Sequence, residues 1–179
     1  MELRTFVKYV ERQVLYKPFE PANLSKKSIM SLAEDFADEI GFKNGADVEP
    51  IVEKLGGRIQ YIDLDQMYNL KSSFFLHNKN NFDILIPRYT GPIHDKFLIM
   101  REIGHYILHE PKEKAVSIKT PTCVEHETAN YESFLFAYGF LVPEKRLQEE
   151  IKKNKIDNIH VVFGVYPETI KERLKDGDS

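Results

Sequence analysis

The sequence predicts an α+β domain in which a small antiparallel sheet packs on several helices. Apolar residues recur with a helical period in the first third and in the second half of the chain. Between residues 58 and 86 they alternate with polar residues, which is typical of strands. Helices and strands that are segregated along the chain indicate an α+β fold. With 179 residues, of which 42% are hydrophobic, the chain is long enough for one well-filled core.

The N-terminal part is predicted to precede the main domain as a helix and a linker. Residues 1–16 place their apolar side chains at helical spacing, and the prolines that follow break this pattern. We therefore assign residues 1–24 to an N-terminal helix and linker, and residues 25–179 to one domain.

Two further helices are expected before the sheet. Ser25 or Ser28 can cap the first of them, which ends at Gly41. Asp47 can cap the second, which stops at the Gly-Gly pair that begins with Gly56.

The sheet and the remaining helices follow in order. A strand is predicted from Arg58 to Asp63, and residues 72–76 and 82–86 are predicted to form a hairpin across a polar turn. The helical period returns from Asp95 to His109, and again over residues 125–142. Shorter helices are expected at residues 143–151 and 167–174.

The composition excludes several classes of protein. A formal net charge of −3 gives no basic surplus for phosphate contacts, so we expect no direct binding of nucleic acid. Cys123 is the sole cysteine, so no disulfide can form within the chain, which fits a reducing compartment. No apolar run approaches the ~20 residues of a membrane span, and the N-terminus lacks a signal-peptide pattern. A cytoplasmic protein without membrane contact is predicted.

The residues with chemical potential are concentrated in residues 97–109, which read FLIMREIGHYILH. A helix of the HExxH type places two histidines four residues apart on one face, so that both reach one Zn²⁺. The glutamate beside the first histidine then acts as general base on the metal-bound water. Glu102 and His105 occupy the positions of this glutamate and of the second histidine, but Arg101 replaces the first. A guanidinium has no lone pair for a metal, and its charge opposes the binding of a cation.

This segment resembles the signature of the ImmA/IrrE family, in which His-Glu-Leu-Gly-His is followed by Leu-His. Downstream, NYESFLFAYGFLVPEKRL is similar to the second helix of that family and FGVYPETIKERL to its C-terminal helices, so the similarity spans residues 28–174. The resemblance implies a zincin-like metallo-endopeptidase fold and a zinc cofactor. It also implies a phage or mobile-element regulator whose partner, cleaved in that family, is a DNA-binding repressor or an antitoxin.

The resemblance also gives a register for the second helix. In this register Asn130 stands where the family has the glutamate that we expect to be the third ligand, and Glu132 stands at the second family glutamate. His105 would then be the remaining ligand of the inherited site, with Arg101 and Asn130 lining its cleft.

A rebuilt metal site is an open alternative. A shift of the second helix by one turn offers His126 or Glu127 as a ligand, and His109 lies four residues beyond His105 on nearly the same face. A set of His105, His109 and His126, with or without Cys123, is chemically conceivable.

Each candidate also has a purely structural interpretation. Arg101 would form a salt bridge with Glu102, Glu127 or Glu132, and Glu102 would then be a buried acceptor. His109, at the end of its helix, would interact with the helix dipole.

Three functions follow from these alternatives. The first is a regulatory protein with a degenerate zinc-peptidase site that acts on its partner mainly by binding. The second is an active zinc endopeptidase with a rebuilt ligand set. The third is a toxin or effector module in which Arg101 receives an anionic ligand. The first is favoured, because the loss of a ligand to a cation disables the chemistry more surely than the binding surface.

Overall fold

A computed structural model describes residues 17–18, 20–70, 72–109, 118–119, 127–153 and 158–177. The helix predicted for residues 1–16 lies outside these ranges, and the domain boundary at residue 25 stays a prediction. The strands are β1 (Lys17–Pro18), β2 (Gly57–Ile62), β3 (Phe74–Asn78), β4 (Asn81–Pro87) and β5 (Ile118–Lys119). The helices are α1 (Lys26–Glu39), α2 (Glu49–Lys54), α3 (Leu64–Leu70), α4 (Pro92–Leu108), α5 (Glu127–Leu141), α6 (Glu144–Lys153), α7 (Ile159–Phe163) and α8 (Pro167–Gly177).

Of the caps predicted for the first two helices, Ser25 is confirmed and Asp47 is not. The hydroxyl of Ser25 accepts the backbone N–H of Ser28 at 3.1 Å, which makes Ser25 the N-cap of α1. The N-cap of α2 is instead Val48, whose side chain makes no capping hydrogen bond. Asp47 precedes it, and one of its carboxylate oxygens accepts the backbone N–H of Glu49 at 3.1 Å. Each bond satisfies a donor that the first turn of a helix leaves unpaired.

The sheet confirms the α+β class but is mixed rather than antiparallel throughout. Its strand order is β2–β4–β3. β3 and β4 form the predicted antiparallel hairpin, whereas β2 pairs with β4 in parallel, from Gly57 opposite Phe82 to Ile62 opposite Pro87. The physical reason is the composition of β4, in which residues 82–86 are all buried. A strand that is buried on both faces takes a central position in a sheet, so β4 lies between β2 and β3. Because β3 reverses the direction of the chain after β2, and β4 reverses it again, β4 runs parallel to β2.

The connection from β2 to β3 contains a helix that the periodicity did not predict. In α3, Leu64 is 68% exposed and Tyr68 is 84% exposed, so its large apolar residues do not form one inward face. Leu70 packs with Ile62 of β2, and the pattern of burial alone shows which side faces the sheet. The signal was missed because the exposed side of α3 is as apolar as its buried side.

Helices α4 and α5 pack closely against each other, and α5 also packs on α1. Gly104 permits the first contact, since a Cβ atom there would lie 3.0 Å from Cβ of Phe136 and 3.1 Å from the carbonyl oxygen of Ser133. Gly139 permits the second, because a Cβ there would lie 2.9 Å from the carbonyl oxygen of Met30. The helix that carries the HExxH-type segment is therefore fixed against the helix predicted to supply a third ligand. No described helix is long and apolar enough to cross a membrane.

Candidate functional site

Four polar residues of α4 and its C-cap face the interior near α5. Glu102 and His105 are each 1% exposed, and His109 is also buried. The side chain of Arg101 is 24% exposed. Because residues 101, 105 and 109 are spaced by four, they lie along one side of the helix. The sequence prediction that these residues form one cluster is consistent with this arrangement.

Arg101 forms an ion pair with its neighbour Glu102. Its Nη2 and Nε atoms donate to Oε1 of Glu102 at 2.7 and 3.2 Å, and the hydroxyl of Ser73 donates to the same oxygen at 2.9 Å. Among the described residues, Oε2 of Glu102 has no hydrogen-bond partner. The guanidinium carbon of Arg101 also lies 5.6 Å from the ring centroid of Phe134, within the range of a cation–π contact. Sequence reasoning anticipated the ion pair but missed Ser73, which precedes β3 and carries no motif.

A chain of hydrogen bonds connects His105 with the N-terminal segment. The Nδ1 atoms of His105 and His109 are 3.1 Å apart, and Nε2 of His109 lies 2.7 Å from Oε2 of Glu132. The same oxygen accepts the backbone N–H of Ala22 at 2.8 Å. Because a carboxylate only accepts, Nε2 of neutral His109 carries its proton, and its Nδ1 accepts the Nδ1–H of His105.

Both histidines are neutral at physiological pH. Burial, the neighbouring His109 and the guanidinium of Arg101 hold the pKa of His105 well below its ordinary value, and a hydrogen bond with the Asn130 side chain offsets only part of this effect. Burial likewise lowers the pKa of His109, although its hydrogen bond with Glu132 opposes that shift. Two adjacent imidazoles near a guanidinium cannot both be charged without strong repulsion.

The remaining predicted residues divide into three groups. Asn130 lies beside His105, in the register expected for the second helix. Glu132 instead binds His109, so the acidic partner proposed for Arg101 on α5 is engaged elsewhere. His126 and Cys123 lie outside the described residues, as does the side chain of Glu127.

The described residues do not fit a catalytic zinc ion. Within the described ranges, no three His, Cys, Asp or Glu side chains are arranged to hold a metal. A catalytic zinc normally has three protein ligands, and of the inherited set only His105 has donor chemistry, since Arg101 cannot coordinate and Asn130 replaces a carboxylate. One oxygen of Glu102, Oε1, is also bound by Arg101 rather than available to a metal-bound water.

The fold and the position of this cluster define the class of the protein. A small sheet followed by a helix with Glu-x-x-His, which packs on a second helix, is the arrangement of zincin-like metallopeptidases. The sequence model of the IrrE N-terminal-like domain matches residues 52–175, more than half of the chain, so the protein belongs to the ImmA/IrrE family. This family consists generally of zinc-dependent peptidases. No curated protein sequence matches the chain significantly.

Proposed function

We propose that this protein is a regulator of the ImmA/IrrE type that acts in the cytoplasm by binding a protein partner, through a peptidase site that no longer holds catalytic zinc. The partner is a repressor-like or antitoxin-like DNA-binding protein, and the gene belongs to a phage or another mobile element. The observation that carries this proposal is the ion pair of Arg101 with Glu102, because it involves two positions that zinc catalysis requires.

The magnitude of the electrostatic effect supports the loss of zinc. At 4 Å and an effective dielectric constant of about 20, an uncompensated guanidinium would repel a divalent cation by about 8 kcal/mol, and the paired carboxylate of Glu102 offsets part of this repulsion. Structural zinc sites with a full set of ligands bind with roughly 10–16 kcal/mol. A site that lacks the first histidine and also contains this repulsion retains little of that free energy. The general base is affected as well, because Oε1 of Glu102 accepts hydrogen bonds from both Arg101 and Ser73.

A protein partner fits the surface better than nucleic acid. The formal net charge is −3, which gives no surplus of basic residues for phosphate contacts. On α5, next to the site residue Asn130, Tyr131 is 55% exposed, and tyrosine is enriched among residues that contribute most to protein interfaces. Tyr106 on α4 and Tyr138 on α5 are less accessible, since both are partly buried against the core.

An active endopeptidase with a rebuilt ligand set is the second candidate. It is favoured by the contact between His105 and His109, which are both neutral and hence have lone pairs. It requires that His126 or Cys123 complete the set. A module that binds an anion at Arg101 is less well supported, because Glu102 already compensates the charge of this arginine.

The metal content of the purified protein tests the proposal first. We expect no stoichiometric zinc in the parent protein by inductively coupled plasma mass spectrometry. Zinc that co-purifies at one equivalent, and is lost in His105→Ala, would overturn the degenerate site in favour of the rebuilt one. The matched variant Arg101→His removes the repulsion and restores a ligand, so its zinc content shows whether Arg101 is the decisive change.

The binding partner is tested separately from the metal. DNA-binding proteins encoded beside the gene can be purified and mixed with the parent protein, and the complex followed by size-exclusion chromatography. We expect a stable complex in which mass spectrometry finds both chains intact. Cleavage of the partner that stops on addition of a zinc chelator would instead identify an active endopeptidase.

A further inference from the structure

An extended segment before α1 joins the two sides of the candidate site. We name it the N-terminal strap; its described residues are 17–18 and 20–22. At one end, β1 pairs in parallel with β5, and β5 lies against β3. At the other end, the backbone N–H of Ala22 donates to Oε2 of Glu132 on α5 at 2.8 Å. A turn at Asn23, whose φ is 55°, then leads into α1.

The two anchors lie at the two elements whose residues bind the buried carboxylate and histidine of α4. Ser73, just before β3, binds Glu102 on one side, and Glu132 on α5 binds His109 on the other. We name the space between β3 and α5, floored by these residues of α4, the site groove. Pro18 and Ala22 are four residues apart, so the chain between them spans at most about 14 Å. The strap is therefore held near β3 at one end and on α5 at the other, the two elements that bound the site groove.

The burial of the site agrees with a covered groove. Glu102 and His105 are each 1% exposed and Glu132 is 3% exposed, although a groove that receives a partner chain must be open to it. The strap also lies outside residues 52–175, which the family model matches. Its contacts are therefore a feature of this chain in addition to the matched domain.

We propose that the N-terminal strap is an autoinhibitory segment that occupies the site groove in the way an extended partner chain would. The proposal rests on the proposed function, in which the site groove binds a protein partner. Extended chains commonly bind by pairing with a strand, and β1 pairs in this way with β5, which lies against β3 at the edge of the site groove. The hydrogen bond from Ala22 to a carboxylate is a charge-assisted one, which makes it a suitable latch. A partner then binds by displacing the strap.

The test removes the latch without changing the site. Ala22→Pro deletes the N–H that Glu132 accepts, whereas the control Ala22→Ser keeps it. The probe is a fluorescein-labelled synthetic peptide of residues 15–24, and its binding is followed by fluorescence anisotropy. We expect the peptide to bind Ala22→Pro at least tenfold more tightly than it binds Ala22→Ser or the parent, because the intramolecular strap competes less. Equal affinity for all three proteins, or no binding to any, would overturn the proposal.

Hydrogen exchange of the unmodified protein keeps the proposal testable if Ala22→Pro does not fold. We expect the amide of Ala22 to exchange at least 100-fold more slowly than an amide in an unstructured peptide. Exchange at the unprotected rate means that there is no latch and ends the proposal.

The neighbouring DNA-binding proteins distinguish a failure of the strap from a failure of the proposed function. A partner that binds the parent and Ala22→Pro with equal affinity contradicts the strap and leaves partner binding intact. Peptide binding by Ala22→Pro, with no complex between any of these proteins and either form, supports the strap and contradicts the proposed function.

Discussion

Two buried carboxylates of this protein are each paired with an arginine, but their surroundings differ. Asp83, in the middle of β4, accepts Nε of Arg58 at 2.9 Å on one oxygen and Nε2 of His77 on the other. Its arginine is 64% exposed. Glu102, in the middle of α4, concentrates its hydrogen bonds on one oxygen, and its other oxygen has no partner among the described residues. Its own arginine, Arg101, is 24% exposed.

The difference shows which cluster is arranged for stability. A buried acceptor that lacks a donor costs about 1–3 kcal/mol, and proteins keep such costs mainly where a site needs them. Asp83 has donors on both oxygens and forms part of the sheet. Glu102 depends on a single arginine for its charge compensation, at a position where the family fold places a general base.

The largest effect is expected from the removal of Arg101. Arg101→Ala leaves the buried carboxylate of Glu102 with only the Ser73 hydroxyl, so the free energy of unfolding should fall by about 3 kcal/mol. Arg58→Ala is the matched control, because Asp83 keeps its hydrogen bond with His77 and Arg58 is mostly exposed. Its cost should be about 1 kcal/mol or less. Urea denaturation at pH 7 measures both.

Equal losses in the two arginine variants would contradict the comparison. An unchanged unfolding midpoint in Arg101→Ala would go further, because it would mean that the ion pair with Glu102 contributes nothing to stability. The double variant Arg101→Ala with Glu102→Gln separates the two possibilities, since it should recover most of the loss if the unpaired carboxylate is its cause.

Replacement of each carboxylate by its amide is expected to have a smaller effect, in the opposite order. In Asp83→Asn the new NH₂ group must face either Arg58, which only donates, or His77, which can accept it only after a change of tautomer. The negative charge that pairs with Arg58 is lost as well, so we expect a loss of about 2 kcal/mol. In Glu102→Gln the NH₂ group can take the place of Oε2, where no donor lies among the described residues. The hydrogen bonds to Oε1 remain, and we expect a change of about 0.5 kcal/mol or less. Guanidinium chloride titrations of both variants measure the two losses. A larger loss in Glu102→Gln than in Asp83→Asn would contradict the predicted order.

Most of the fold was predictable because it follows from local periodicity. The cap at Ser25, the hairpin and the helix α4 all depend on residues that are close in the sequence. The parallel pairing of β2 with β4 was not, because alternation shows that a segment is a strand but not the direction of its neighbour. Helix α3 was missed for a related reason, since Leu64 and Tyr68 are exposed and obscure its apolar period.

The candidate site was predictable where one helix contains it. The motif placed Arg101, Glu102 and His105 on α4, and the charge of Arg101 suggested its pairing with a carboxylate. The link from His109 through Glu132 to Ala22 joins residues up to 110 positions apart, which no local pattern reveals. The cluster around Asp83 was likewise missed, although a carboxylate within the apolar strand sequence FDILIP was a usable signal.

The smallest expected difference between the two regions concerns how the stability of the protein depends on pH. Burial, His109 and Arg101 hold the pKa of His105 below its ordinary value. The unfolded chain therefore takes up a proton below about pH 6.5 that the folded protein does not. This contribution to stability is present above pH 6.5 and is lost as the pH falls. Burial raises the pKa of Asp83, but hydrogen bonds from His77, Arg58 and Gln60 lower it more.

His105 and Asp83 therefore affect the stability of the protein in two separate ranges of pH. The contribution of Asp83 is complete above about pH 3.9, the value of an unfolded aspartate, and is lost only as the pH falls through the lower pKa of the folded state. Urea midpoints measured from pH 7.5 to pH 3 should thus fall less steeply between pH 6.5 and pH 5 in His105→Gln than in the parent. Asp83→Asn should follow the parent in that range and differ in slope only below about pH 4. If instead His105→Gln keeps the full slope between pH 6.5 and pH 5, the imidazole is not held neutral. The two buried clusters would then not be distinguished by how they bind protons.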